Sequence, residues 1–253
     1  MKQDETSKNV LLEGMTSISA LLNSSKVNDR PILKVWVDSE KASKRASFIR
    51  FLEAKKAELG FEIQYTDAQT INALASGQTH GGILAECGER TILPLTKEQI
   101  QPNGMYVYLE GMEDPYNFGG ALRSLYAAGA SGVVLPERNW MNAAGIVARS
   151  SAGASERLPL YSADAETTVS LFHSAGYQIL CAGIRDSISL YENQFSYPIL
   201  LVIGGEKRGI SHTFLENADK IVRIDYGSDF RGSLSSSASA AVLAFELFRQ
   251  NRS

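Results

Sequence analysis

The pattern of apolar and polar residues predicts a small α/β unit in the first ninety residues. Three segments have strand character, through apolar runs or period-two alternation: 32–37, 61–65 and 83–86. Helical spacing of apolar residues predicts helices at 15–22 and 45–59, and Gly60 ends the second one. Asp67 caps a predicted short helix that runs through Leu74. We therefore expect a first domain over residues 1–90.

The pattern after residue 105 alternates regularly between strands and helices. Residues 91–104, which contain two prolines and Gly104 among polar residues, are predicted to be a linker. The predicted strands are 105–109, 132–135, 177–182, 199–203 and 221–224. The predicted helices are 120–128, 141–151, 165–175, 212–217 and 236–249. This alternation predicts a mostly parallel sheet with helices on both faces over residues 105–253.

The last predicted helix carries an apolar stripe at helical spacing. Its members are Ala238, Ala241, Val242, Phe245 and Phe248. The first residues of this helix are nearly all serine or alanine, which permits close approach of another backbone. The stripe predicts packing against either a neighbouring helix of the same chain or a partner chain.

Composition and charge restrict the class of protein. The 253 residues are 44% hydrophobic and 21% charged, as in globular proteins with real cores, and the net charge is −3. The two cysteines form neither a disulfide framework nor a zinc spacing, so we expect a reducing compartment and no metal. The N-terminus lacks a signal-peptide pattern, and the longest apolar run, 199–203, is too short for a membrane helix. We expect a cytoplasmic protein that does not insert into membranes.

A local basic cluster lies in the N-terminal third. Its members are Lys41, Lys44, Arg45, Arg50, Lys55 and Lys56. The cluster indicates either an RNA-binding face or a solvated helix surface whose charges are partnered by Glu53 and Glu58.

Three Gly-rich or Ser-rich segments each follow an apolar run and precede a predicted helix. They are NFGGALRS at 117–124, GGEKRG at 204–209 and GSLSSS at 232–237. In parallel sheets such loops gather at one edge, where ligands bind. A phosphate loop is excluded because Ile210 stands where lysine is required, and neither a G-x-G-x-x-G nor a G-x-S-x-G motif is present. The segments predict a small molecule that is held mainly by backbone groups.

Arg123 is predicted to lie in the first turn of a helix. A positive charge there opposes the helix dipole, which favours a functional reason for the arginine over a merely solvated side chain.

The same segments resemble the motifs of the SpoU/TrmH branch of the SPOUT RNA methyltransferases. DPYNFGGALRS at 114–124 is similar to the first motif, DPxNxGxxxRxA, and VIGGEKRGI at 202–210 is similar to the second, GNEGxG. SAGA at 151–154 with LPL at 158–160, and Ile224 followed by SLS at 233–235, resemble further parts of the family pattern, the second of them its I-P-M…S-L-N motif. THGGI at 79–83 resembles the H-Q-G-I turn of the substrate-binding domain that precedes many of these enzymes.

The resemblance implies a two-domain RNA 2′-O-ribose methyltransferase. It implies a C-terminal trefoil knot, an N-terminal domain similar to RNA-binding ribosomal proteins, an rRNA or tRNA substrate, and a homodimer whose sites draw on both chains. It implies S-adenosylmethionine as cofactor, and the residues expected to hold it are Ala182, Gly183, Gly204, Gly209, Ile224 and Leu234. The catalytic residues implied are Asn117, Arg123, Glu206, Ser233 and Ser235.

The chain departs from the family motifs at several positions. Gly205 and Ser235 replace asparagines, Lys207 replaces a glycine, and Asp225 replaces a proline. These changes leave two hypotheses: an active methyltransferase, or a weak or inactive homologue that binds RNA. The family account makes Arg123 a general base, but a guanidinium stays protonated, so a clamp for phosphate and developing oxyanion charge is an alternative.

Overall fold

The computed structural model describes residues 9–24, 30–136 and 143–252, which form two compact units. The first unit contains the described residues up to Thr91 together with residues 143–157. The second contains Ile92 to residue 136 and Leu158 to residue 252. The sequence-based boundaries place 143–157 in the C-terminal domain, whereas in the structure this segment packs with N-terminal elements. The start of the helix predicted at 141–151 lies outside the described residues.

The regular elements follow each other in the order that the sequence pattern predicts, with additions. The strands are β1 (Val10–Glu13), β2 (Ile32–Asp38), β3 (Glu62–Thr66), β4 (Ile83–Cys87), β5 (Leu93–Pro94), β6 (Met105–Glu110), β7 (Gly132–Leu135), β8 (Leu160–Ser162), β9 (Gln178–Ala182), β10 (Ile188–Ser189), β11 (Ile199–Gly204) and β12 (Lys220–Arg223). The helices are α1 (Gly14–Leu22), α2 (Ala46–Leu59), α3 (Ala68–Leu74), α4 (Pro115–Ala127), α5 (Ala144–Ser150), α6 (Ala154–Arg157), α7 (Ala165–Ser174), α8 (His212–Glu216) and α9 (Ser236–Asn251).

The first unit is built on a four-stranded sheet in the order β1-β4-β2-β3. The predicted end of α2 at Gly60 and the predicted N-cap of α3 at Asp67 are confirmed. Gly60 adopts φ +79° and donates its N–H to the Lys56 carbonyl at the end of α2, while Asp67 accepts the N–H of Thr70 at the start of α3. The buried residues at the centre of the unit include Leu12, Ile18, Val35, Leu52 and Ile83.

The basic cluster of the N-terminal third is partly neutralised. Lys55 pairs with Glu58 at 2.7 Å, and Lys41 pairs with the buried Asp38 at 3.1 Å. Lys44 and Arg50 are exposed. The cluster therefore combines paired and exposed cations, and both interpretations of it from sequence retain support.

Buried ionic contacts attach residues 143–157 to the rest of the first unit. The Arg30 guanidinium lies 3.1 Å from the Glu156 carboxylate, and the two side chains are only 4% and 2% exposed. Arg149 likewise pairs at 2.8 Å with Glu13, whose carboxylate is buried. Removing one partner of a buried pair leaves the other charge without compensation in a medium of low polarity. Loss of one partner from either pair should therefore weaken the attachment of this segment.

We expect Glu156→Gln to lower the free energy of unfolding of the first unit by about 3–5 kcal/mol, because the buried Arg30 charge loses its counter-ion. Urea denaturation followed by circular dichroism measures the loss. Glu62→Gln is the matched control, since Glu62 pairs with Lys34 at the surface and its loss should cost less than about 1 kcal/mol. Equal effects of the two substitutions would contradict the role of the Arg30–Glu156 pair.

The second unit is built on an eight-stranded sheet in which every neighbouring pair is parallel. The order is β10-β12-β9-β11-β6-β7-β8-β5. The α/β fold with a parallel sheet is confirmed, and each predicted strand forms within one residue of its predicted ends. The additional strands β5, β8 and β10 have only two or three residues, too few for a periodic signal. β5 lies within the segment predicted as a linker.

The helix α4 begins five residues earlier than predicted, at Pro115 instead of residue 120. The Asp114 side chain accepts the N–H of Asn117 at 2.8 Å, and a proline at the first helical position has a φ suited to helix. These signals outweigh the two glycines, which are tolerated in the helix interior. Arg123 consequently lies in the third turn, so the argument from an opposing helix dipole was wrong.

The buried face of α9 is not the predicted apolar stripe. The buried residues of this helix are Ser236, Ala240, Leu243, Ala244 and Leu247. Phe245 and Phe248 of the stripe remain 44% and 40% exposed. Small residues face the protein because α4 and α9 pack closely, with Gly120 of α4 against the Ser237 side chain. The two phenylalanines are available to a partner.

None of the described helices is long and apolar enough to cross a bilayer. Both cysteines are buried free thiols, Cys87 in the first unit and Cys181 in the second.

Candidate active site

A cavity of about 770 Å³ opens at the carboxyl ends of β9, β11 and β12. These strands are neighbours in a parallel sheet, so the loops that follow them leave the sheet at the same edge. All six residues predicted to hold a cofactor line this cavity: Ala182, Gly183, Gly204, Gly209, Ile224 and Leu234. The cavity size suits a small organic ligand.

Glycines bring the backbone close together beside the cavity. At Gly205 a side chain would overlap the carbonyl oxygen of Gly111, and at Gly204 it would overlap the backbone of Gly209. The turn is closed by the N–H of Gly209, which donates to the Gly205 carbonyl at 3.0 Å. Glycine at position 205 therefore fits the close approach of the Gly111 backbone, which leaves no room for a side chain here.

The carboxylate of Glu110 supports the same loop. Glu110 ends β6, and its Oε2 accepts the backbone N–H of Ser211 at 2.8 Å. Glu110 at the end of β6 thus holds Ser211, where the loop after β11 leads into α8.

A chain of hydrogen bonds joins three segments that are far apart in sequence. Asn117 donates through Nδ2 to Oε1 of Glu206 at 3.2 Å, and its Oδ1 accepts from the Ser237 hydroxyl at 3.1 Å. Ser237 in turn lies 3.1 Å from the Ser235 hydroxyl. The amide of Asn117 is therefore oriented at both ends, and the Glu206 carboxylate is held at the rim of the cavity.

Ser235 has a structural task in addition to its place in this network. Its hydroxyl accepts the N–H of Ala238 at 3.2 Å and so caps α9. Next to it, Ser236 donates to the carbonyl of Gly204 at 3.2 Å, which joins the start of α9 to the end of β11. Short serine side chains suit these close contacts, whereas an asparagine at position 235 would be longer.

The structure brings some of the predicted catalytic residues together and leaves one apart. Asn117, Glu206 and Ser235 belong to the network, and Ser233 lines the cavity. Arg123 is exposed, and it makes no hydrogen bond or ion pair with the described residues. Because it is six positions after Asn117, it lies about 9 Å farther along α4.

Ser237 is the functional candidate that sequence reasoning missed. It stands within a run of serines and alanines, which indicates close helix packing but does not single out one hydroxyl. Only the packing of α4 on α9 shows that Ser237 meets the Asn117 amide.

Asp225 anchors the wall of the cavity. Its carboxylate accepts hydrogen bonds from the Ser189 hydroxyl on β10 and from Nε of Arg223 at 2.7 Å. Arg223 also donates to the carbonyl of Ser187 at 2.7 Å. Two contacts hold the pKa of Asp225 below its ordinary value. The hydrogen bond from Ser189 is the larger cause, and Arg223 is the smaller one. The carboxylate that replaces a proline thus fastens the loop after β12 to the strand beside it.

Comparison with known families agrees with this geometry. Residues 104–245 match the model of the SpoU rRNA Methylase family, and residues 11–92 match the model described as RNA 2′-O ribose methyltransferase substrate binding. The chain belongs to the SpoU rRNA methylase family. The assignment made from the three motifs is confirmed, and with it the RNA methyltransferase interpretation of the sequence.

Relatives of this SpoU chain match it over nearly its whole length. The 23S rRNA (guanosine-2′-O-)-methyltransferase RlmB of Pasteurella multocida is 27% identical over 245 residues, covering 94% of this chain and 96% of that protein. The protein of the same name from Shewanella oneidensis is 26% identical over 255 residues, covering 97% and 99%. The structure of an AdoMet-bound rRNA methyltransferase from Sinorhizobium meliloti has the same fold, with a TM-score of 0.78, 21% identity and coverage of 99% and 90%.

We expect Ser189→Ala to raise the pKa of Asp225 towards its ordinary value, because the largest cause of the depressed pKa is removed. Folding favours the carboxylate form, so the anchor holds at neutral pH and is lost as the pH falls through the depressed pKa. NMR titration of the carboxyl carbon measures the change. Asp164 is the internal control, because its pKa is lowered by contacts with Thr167 and should not move. An unchanged pKa of Asp225 would contradict the Ser189 contact.

Proposed function

We propose that this protein transfers a methyl group from S-adenosylmethionine to a ribose 2′-hydroxyl of ribosomal RNA. The observation that carries the proposal is the network from Asn117 to Glu206 and Ser237, which joins the first family motif to the second and third motifs, whose residues line the cavity. Both RlmB relatives named above act on a guanosine of 23S rRNA by their names, which makes such a nucleotide the first candidate target.

The cavity fits S-adenosylmethionine. Its volume is sufficient, and its glycine-lined walls expose peptide groups that can bind a ligand without intervening side chains. The six residues predicted from sequence would hold the molecule: Ala182, Gly183, Gly204, Gly209, Ile224 and Leu234. When bound, the cofactor supplies a methyl group on a positively charged sulfur.

The residues of the site position the ribose that accepts the methyl group. Asn117, held by Glu206 and Ser237, presents a fixed amide beside the cavity-lining Glu206 to orient the ribose. Positioning of this kind supplies much of the rate of a transfer reaction. Ser233, which lines the cavity and is exposed, offers a further hydroxyl to the RNA.

Arg123 acts in this proposal as a clamp and not as a base. A guanidinium keeps its proton at all ordinary pH values, so it cannot accept one from the hydroxyl. It can hold a phosphate and stabilise the charge that develops on the attacking oxygen. Arg123 has no ionic partner among the described residues and does not line the cavity. We therefore propose that it reaches the methyl-transfer site of a partner chain.

The placement of Arg123 at the site of a partner chain requires a homodimer, and exposed apolar surface supports one. Exposed aromatic residues lie on α4 and α9, which pack together: Tyr116, Tyr126, Phe245 and Phe248. A second copy of the chain would remove this apolar surface from water, and a symmetric dimer buries the same patch on both chains.

The proposal also includes a trefoil knot, an RNA-binding first unit and a cytoplasmic location. The order β11-β9-β12, in which the chain runs from β9 to β11 before it reaches β12, supports a trefoil knot at the cavity. The exposed Lys44 and Arg50 support RNA binding by the first unit, whose fold we propose to be that of RNA-binding ribosomal proteins. The two buried free thiols support a reducing cytoplasmic environment.

We expect Arg123→Ala to bind S-adenosylmethionine normally but to lose about a hundredfold or more in methyl transfer, the usual loss for a donor to developing charge. Calorimetry measures cofactor binding, and mass spectrometry of rRNA from a deletion strain identifies the missing 2′-O-methyl group that purified protein should restore. Arg252→Ala, at an exposed arginine after α9, is the control. Full transfer by Arg123→Ala removes this residue from the reaction. A wild-type protein that binds RNA but not the cofactor would indicate an inactive homologue.

We expect the wild-type protein to elute at twice the chain mass of 27.5 kDa, and the double variant Phe245→Lys/Phe248→Lys to elute at the mass of one chain. Charges on the exposed stripe cannot be buried in an interface without a large penalty. Size-exclusion chromatography with light scattering measures the masses. Leu215→Lys, at a comparably exposed position on α8, should leave the dimer intact. A monomeric wild-type protein would refute the dimer.

A further inference from the structure

Two apolar side chains at the cavity are unusually exposed. Ile184 is 73% exposed and Phe230 is 56% exposed, and of the other large apolar or aromatic residues in the described part of the chain only Tyr116, at 57%, is as exposed as Phe230. Both line the cavity. Ile184 follows β9 and Phe230 lies in the loop after β12, and these strands are neighbours. The cavity therefore has an exposed apolar side chain on each of two adjacent loops.

The ring of Phe230 is held in place by its own loop. A side chain at Gly232 would overlap the ring, so the glycine allows the ring to lie against the backbone. The ring of Tyr226 lies 5.8 Å away, centroid to centroid, at an angle of 46°. The Tyr226 hydroxyl accepts the backbone N–H of Leu234 at 3.2 Å, which ties the two ends of the loop together. Phe230 is thus a supported platform, and little freedom is lost when a ligand stacks on it.

The chemistry of this platform matches a flat heteroaromatic ring. Nucleobases stack on exposed aromatic side chains regardless of their sequence, because every base presents a π face. Arg231, the next residue, also lines the cavity and adds a positive charge that can pair with an RNA phosphate or with the carboxylate of S-adenosylmethionine. We propose that Phe230, together with Ile184, forms a nucleobase-stacking subsite at the cavity. This inference rests on the proposed function, which supplies two such rings: the adenine of S-adenosylmethionine and a base of the RNA.

The variant Phe230→Trp places a fluorescent ring on the platform and keeps it aromatic. Titration with S-adenosylmethionine, with adenosine monophosphate and with 23S rRNA transcribed in vitro should quench its fluorescence after subtraction of the wild-type signal. Saturable quenching by the two adenine compounds assigns the platform to the cofactor. Quenching by rRNA alone assigns it to a base of the RNA. Absence of quenching by all three overturns the subsite.

Truncation tests the same platform by affinity. We expect Phe230→Ala to weaken binding of the ring-bearing ligand by roughly 5- to 150-fold, the range for loss of one base stack. Phe230→Leu separates stacking from simple apolar contact and should lose nearly as much. Leu215→Ala, at an exposed position that does not line the cavity, should bind as the wild type does. Full affinity in Phe230→Leu would overturn the stacking role.

The same measurements distinguish failure of the subsite from failure of the proposed function. Wild-type protein that does not bind S-adenosylmethionine in calorimetry, while Phe230→Trp is still quenched by adenosine monophosphate, overturns the methyltransferase proposal and leaves the subsite standing. Wild-type protein that binds the cofactor and methylates RNA, with no effect of any substitution at Phe230, overturns the subsite alone.

Discussion

Parallel pairing of β6, β11, β9 and β12 is the constraint on which the site depends. Parallel strands all present their carboxyl ends at one edge, so the loops after them meet even though long stretches of chain separate them. Asn117 and Glu206 are 89 positions apart, and Asn117 and Ser237 are 120 apart, yet their side chains are in hydrogen-bond contact. The sheet supplies the meeting point, and the Asn117 amide joins the segments there.

Close backbone contact is the second requirement of the site. At Gly205 a side chain would overlap the Gly111 backbone, and a side chain at Gly120 would lie in van der Waals contact with Ser237 where α4 packs on α9. The same crowding leaves no space for a side chain at position 205, whereas Ser235 caps α9, a task that asparagine can also perform. The local packing of the folded chain accommodates both residues.

Sequence reasoning succeeded where a local signal was strong. The five longer strands of the large sheet were predicted within one residue, because each is a compact apolar run between turn signals. It failed at the start of α4, where a cap and a proline were overlooked in favour of two glycines. It also failed on α9, because helical spacing identified an apolar stripe but could not show that the face with Ala240, Leu243 and Leu247 was the buried one.

The sequence alone determined the parallel α/β fold, the family and the residue types around the cofactor cavity, because strand periodicity and motif order are local properties of the chain. Only the tertiary structure decided which side chains touch. It grouped residues 143–157 with the first unit through buried ion pairs, revealed Ser237 as the partner of Asn117, and left Arg123 outside the network. Such outcomes depend on contacts between distant segments, and the packing of the folded chain sets them.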